Sequence, residues 1–346
     1  MLRRILGGWL LFAIALTTAA ANAQGPAKIG EDIRLPAAPE QWLNFPPLSL
    51  DRLGGKGVVL YFFDEECSNC AKRWPELMRQ AELHSQDPVV IIAVNSGNSP
   101  RDVAAYVREH QITWPVIVDS DRSFERVALG LMINVQTKPS GIRIRKADGN
   151  WEANIRSRVP DAINAAAKGG KWRVNPAMVP VELRAAWGLV ELGNFAAALP
   201  MIARTERRGN DAVKNAAAAL RDAVAVSLAE EQESIDKLLA EDRQWQAFVA
   251  IGSLLETYKG YEVDPTLEVK YKELKKSDAI QQEQAAAKKL QQAIRTGSVG
   301  SPAAVKRATT MLEKIKEQYP DTEAATKAEK LIEQVTAPAM LAPPEG

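Results

Sequence analysis

Cysteine and histidine are both scarce here, with two of each in 346 residues. Neither His84 nor His110 is paired at ligand spacing, so no complete set of zinc donors is evident. Charge of one sign is lacking too: 44 Lys and Arg against 43 Asp and Glu leave a net +1, and no dense basic block interleaves with aromatics. The electrostatic footprint of a nucleic-acid binder is absent, and no nucleic-acid partner is expected. Past residue 24 no apolar run is long enough to span a bilayer. What remains is the composition of a soluble protein, 46% hydrophobic and 25% charged. The length predicts two folded units.

The N-terminus is the exception to this evenness. Arg3 and Arg4 precede an apolar run from Ile5 to about Leu16, and small residues lead to Ala21-Asn22-Ala23. That order of positive, apolar and small residues is the layout of a secretory signal peptide over residues 1–23, cleaved before Gln24. The alternative is an uncleaved anchor, the only membrane attachment the sequence offers. The mature chain is expected to be exported, to the periplasm or another extracytoplasmic space.

The two cysteines are separated by two residues, as Cys67-Ser68-Asn69-Cys70. A structural disulfide stabilises by closing a long loop of the unfolded chain, and this pair closes almost none. Half a zinc site is a second alternative, but the other half is missing. A redox pair is the reading the spacing favours: a thiolate at a helix N-terminus meets free N–H groups and the dipole, and a second thiol resolves a mixed disulfide. No cofactor is needed for that chemistry.

The surrounding pattern supplies such a helix. Val58–Phe63 is β-branched and aromatic, as in a buried central strand. After Asp64-Glu65-Glu66 and the cysteines, Trp74, Leu77, Met78 and Ala81 recur at helical spacing, with Pro75 expected to kink the helix. The order predicts Cys67 at an exposed helix N-terminus. Val89–Val94 and Trp114–Val118 read as strands; Ser99-Pro100 starts one helix, and Ser123–Leu129 is another. Ile142 and Ile144 alternate with Arg143 and Arg145, predicting a strand with one solvent face, and Asp148-Gly149 turns into a strand near Trp151. Alternating strands and helices predict an α/β unit with a parallel core and an antiparallel edge.

From about Gly30 to Ile155 the chain resembles the thioredoxin-like domains of exported thiol–disulfide oxidoreductases, the TlpA and redoxin type. The resemblance rests on the Val58–Phe63 strand, the Cys67–Cys70 motif, Pro75, the run Asn134–Pro139 before a strand, and the Ala147-Asp148-Gly149 hairpin. It implies that Pro139 packs beside the cysteines and shapes the face that holds substrate, with Lys138 next to it. It also implies disulfide-bonded protein substrates and a thiol protein that donates electrons. Two departures bear on tuning. Glu66 stands where an aromatic residue usually precedes the first cysteine, and Tyr61 where thioredoxins keep a buried carboxylate. The acidic triplet opposes a Cys67 thiolate while the helix dipole, Lys72 and Arg73 favour it, so a reducing role for the Cys67–Cys70 disulfide couple is expected.

After about residue 160 strand signals vanish. Residues 161–179, with Gly169-Gly170 and prolines, read as a linker, and 180–335 as an all-α region. Trp187…Leu192-Gly193-Asn194-Phe195…Ala198 resembles a tetratricopeptide repeat. Two further amphipathic helices end in Tyr258 and Tyr319 before a turn and a partner helix. The charged stretch Asp264 to Leu290 is expected to extend as one long helix, Ser301 to cap another, and 336–346 to be a disordered tail. Stacked helix pairs would offer a partner surface. The alternative function is then an adaptor whose redox domain only senses oxidation.

Overall fold

The apolar run predicted as a strand lies in the middle of a sheet. In the computed structural model, which describes residues 33–129, 141–153, 158–298 and 302–336, every residue of β2 (Gly57–Phe63) is buried. A strand buried on both faces needs partners on both edges. β2 pairs in parallel with β3 (Val89–Ser96) and antiparallel with β5 (Ile142–Arg145). Outside these lie β4 (Val116–Asp119), parallel to β3, then β1 (Trp42–Leu43) and, on the far edge, β6 (Trp151–Ala153). The order β1-β4-β3-β2-β5-β6, flanked by helices, is a thioredoxin-like fold.

Alternation along β2 divides two cores. Val59, Tyr61 and Phe63 pack with residues of α1 (Ser68–Leu83), α2 (Pro100–Glu109) and α4 (Val159–Ala167). Val58, Leu60 and Phe62 pack with both cysteines, with Phe124, Ala128 and Leu129 of α3 (Ser123–Leu129), and with Ile33, Leu48 and Leu53. The solvent face expected for β5 is therefore not there. Arg143 stands opposite Leu60 and is buried, because the N-terminal segment covers that side.

The expected linker also needs correction. Residues 159–167 are helical and bury Ala162, Ile163 and Ala166 against the sheet. The small side chains of Ala162 and Ala166 allow its close approach to the sheet. A Cβ on Gly57 would come within 2.3 Å of the Ala166 carbonyl oxygen. Beyond α4 the chain is pinned: Lys171 N–H donates to Gly55 O, and Trp172 Nε1 donates to Gln86 O.

The remainder is helical: α5 (Arg184–Glu191), α6 (Phe195–Glu206), α7 (Asp211–Ala240), α8 (Gln244–Thr257), α9 (Pro265–Lys276), α10 (Asp278–Ser298), α11 (Pro302–Gln318) and α12 (Glu323–Thr336). The single long helix expected over 264–290 is two. Ser277 is extended (ψ 137°), and its hydroxyl accepts the Ile280 N–H, capping α10. Gly193 (φ +76°) turns α5 into α6 as the sequence suggested. Ser301 and the tail after Thr336 lie outside the described residues.

A buried ionic contact joins the two halves. Lys56, one residue before β2, meets Glu191 of α5 at 3.0 Å, and neither side chain reaches water. The Glu191 carboxylate also accepts the Arg173 and Val174 N–H groups, while the Arg173 guanidinium donates to Arg52 O and Glu191 O. Arg52 in turn forks onto Glu231 of α7 and reaches Ser253 of α8.

Burial, with the Arg173 charge adding to it, pulls Lys56 down to about 8; Glu191 opposes the shift. Between pH 8 and Lys56's ordinary value of 10.5 the folded protein has released a proton that the unfolded chain still holds, so this group favours folding increasingly as pH rises. We expect the stability difference between wild type and Lys56→Met, from urea unfolding, to grow by about 3 kcal/mol over that window. A difference that shrinks as pH rises would mean that Glu191 outweighs burial at Lys56, and would contradict the lowered value.

Candidate active site

The strand β2 delivers its C-terminal end to the turn Asp64–Cys67. Asp64 holds that turn twice: Oδ1 accepts the Glu66 N–H at 2.9 Å, and its carbonyl accepts the Cys67 N–H at 3.3 Å. Cys67 has extended backbone angles and is the N-cap of α1. Its Sγ accepts the Cys70 N–H at 3.2 Å, and its carbonyl accepts the N–H groups of Cys70 and Ala71. Sulfur thus occupies the place a Ser or Asp oxygen takes in an ordinary N-cap, where N–H groups and the helix dipole favour negative charge.

The expected exposure of Cys67 is not observed. Cys67 is 3% and Cys70 1% exposed, and both belong to the core cluster of Phe62, Val94 and Phe124. Burial, followed by the hydrogen bond with Cys67 and its charge, pushes the Cys70 thiol up to about 12; the Asp64 backbone and Arg73 only partly offset this. Cys70 keeps its proton until a neighbouring sulfur has reacted. That order suits an attacking Cys67 and a resolving Cys70.

The other sequence-predicted residues separate. Glu66 is exposed and engages the turn through its N–H. Glu65 is raised above the ordinary carboxylate range by burial, then by Asp102, Asp64 and Glu66, so acidic charge gathers near the motif from two elements. Tyr61 is buried and supplies a ring: it packs edge-on against Trp74 at 5.5 Å and Trp114 at 6.4 Å. Pro139 and Lys138 lie outside the described residues.

Sequence reasoning missed Tyr106 and Arg122. The Trp74 indole N–H donates to the Tyr106 hydroxyl at 2.9 Å. Burial pushes that phenol up to about 12, the Trp74 hydrogen bond opposes the shift, and negative charge on the cysteine pair would add to it. Nothing in the spacing of Tyr106 along α2 shows which site it faces. Arg122 sits 3.8 Å from the Asp64 carboxylate. Among the described residues no three His, Cys, Asp or Glu side chains group as metal ligands.

The Cys70 thiol gives a direct check. In reduced native protein at pH 8, iodoacetamide followed by peptide mass analysis should label Cys67 and leave Cys70 unmodified until the chain is unfolded. Equal labelling of both would contradict the buried, protonated Cys70.

Comparison with known proteins agrees with this geometry. Residues 29–145 match the AhpC/TSA family. The thiol-disulfide oxidoreductase ResA of Bacillus subtilis (strain 168) is 31% identical over 113 residues, covering 33% of this chain and 63% of ResA. NHL repeat-containing protein 2 of Bos taurus is 34% identical over 103 residues, covering 27% of this chain and 14% of that protein. The chain thus spans less than two thirds of these relatives. Among solved structures, DsbF from MTB is 18% identical with a TM-score of 0.31, covering 39% of this chain and 97% of that one. A thiol:disulfide interchange protein from Chlorobium tepidum TLS is 19% identical with a TM-score of 0.30, covering 35% and 87%. Residues 29–145 are thus similar to the AhpC/TSA family and to thiol–disulfide oxidoreductases, the resemblance that the Cys67–Cys70 helix start led one to expect.

Proposed function

We propose that this protein is an exported thiol–disulfide oxidoreductase that reduces disulfides in extracytoplasmic proteins. The observation that carries the reading is Cys67 as N-cap of α1, with the Cys70 N–H on its sulfur and a protonated Cys70 thiol one turn in. The Cys67 thiolate attacks one sulfur of a substrate disulfide; an S–S bond forms to Cys67, and the other substrate sulfur leaves and takes up a proton. Cys70 then gives up its proton and attacks Cys67 Sγ. The mixed disulfide breaks, the Cys67–Cys70 disulfide forms, and the second substrate thiol is released. Two electrons pass from the dithiol to the substrate, and a thiol protein must return them.

The reducing direction rests on the acidic charge of Asp64, Glu65 and Glu66 around the motif. Export rests on the Arg3-Arg4, apolar and Ala21-Asn22-Ala23 sequence, and ResA is itself named a thiol-disulfide oxidoreductase. Pro139 and Lys138 are proposed to shape the substrate face. The hairpins α5–α6, α8–α9 and α11–α12 are proposed as irregular tetratricopeptide-like repeats that offer a partner surface.

Cys70→Ser tests the reading, because it stops the reaction at the mixed disulfide. In an extracytoplasmic extract this variant should accumulate reducible, high-mass adducts through Cys67, while Cys67→Ser and the double variant form none. Wild type should reduce a generic disulfide substrate with turnover. Partner binding that depends on oxidation state, without turnover or adducts, would favour the redox-sensing adaptor instead.

A further inference from the structure

Arg122 stands at a backbone position that disfavours it. Its φ is +59°, a region that glycine enters freely and that costs other side chains of order 1 kcal/mol. The turn is fixed locally: Arg122 N–H donates to Asp119 O, and the Asp119 carboxylate accepts the N–H groups of Phe124 and Glu125 at the start of α3. Glycine would serve this turn better, so the turn itself gives no reason for an arginine. The reason lies at the other end of the side chain.

The guanidinium lies across Gly97, itself left-handed at φ +97°; a Cβ there would come within 2.9 Å of Arg122 Nε. From that bed it donates to Ser96 O at 3.4 Å and meets two carboxylates, Glu125 at 3.6 Å and Asp64 at 3.8 Å. Asp64 is the residue that holds the Cys67 turn through its carbonyl and carboxylate. Three loops, following β2, β3 and β4, therefore converge on one cation at the C-terminal edge of the sheet, the edge that carries Cys67.

We propose that Arg122 is a positioning residue for the Cys67–Cys70 couple: through a left-handed backbone and a bare Gly97, its guanidinium holds Asp64, and Asp64 fixes the turn and the charge that precede Cys67. The inference rests on the redox reading and adds to it. The acidic triplet does not act on Cys67 uncompensated, because one of its three charges is paired from the turn between β4 and α3.

Arg122→Gly in the full-length mature protein is the decisive variant, since it removes the guanidinium while relieving the backbone. The readout is the pH profile of Cys67 alkylation by iodoacetamide in reduced protein, with the thermal midpoint recorded alongside. Freeing the Asp64 carboxylate should move the profile to higher pH and slow alkylation at pH 7 by about three- to tenfold. In an Asp64→Asn background the same substitution should change the rate by less than about twofold, because the carboxylate that Arg122 offsets is gone. Arg122→Lys should keep most of the wild-type rate. An unchanged profile in Arg122→Gly, or an equal slowing in both backgrounds, would overturn the proposal even if the protein lost stability. A wild-type Cys67 no more reactive than cysteine in the unfolded chain would overturn the redox reading, and this inference with it.

Discussion

Gly57–Phe63 runs through the sheet with both faces buried, and the rest of the chain is arranged around its two ends. A strand without water on either face must have every N–H and C=O paired, which fixes β3 on one side and β5 on the other. At about 3.3 Å per residue its seven residues separate the two ends by about 20 Å. The N-terminal end carries Lys56 and, just before it, Arg52, both of which grip the helical half. The C-terminal end carries Asp64 and Cys67. The docking contacts and the cysteine pair thus sit at opposite ends of one strand.

That separation gives the helical region a physical role that composition alone did not suggest. The segment after α4 is a strap: Lys171 and Trp172 bond to the redox unit, while Val174 and Val179 join the helical core. Glu191, inside that core, is stabilised by a cation and N–H groups from outside its own helix. Removing one partner from such a set strands buried charge, so the two halves resist separation. The helical half is held as part of one body.

Much of this was legible in the residues. The β2 run, the Ser99 cap, the short helix at 123–129 and the hairpin at 148–149 follow from local pattern, which short-range sterics and hydrogen bonding enforce. The place of the cysteine pair at a strand-to-helix junction was legible because the two patterns meet there. What sequence hid was always non-local. Arg143 looked solvated because alternation says which residues share a face, not what covers it. Residues 161–167 looked like linker because an alanine's value lies in the backbone it approaches, here at Gly57. Cys67 looked exposed because its cover comes from α3 and the end of β3. Arg122 and Tyr106 reach the site from loops and helices far along the chain, and no periodicity records that.

The chemical logic of the site is a division of labour between two sulfurs. One occupies a helix N-cap and receives an N–H; the other is buried beside it and holds its proton. Around them stand the rings of Phe62 from β2 and Phe124 from α3, and a turn that is acidic but partly neutralised. The most direct test of this account is the reduction potential of the pair, measured by equilibrating mature full-length protein in defined glutathione buffers and counting thiols by alkylation. The account predicts a reversible two-electron couple between about −120 and −270 mV, toward the reducing end. A potential below about −300 mV, or no titration at all, would mean a structural bridge or inert thiols and would contradict it.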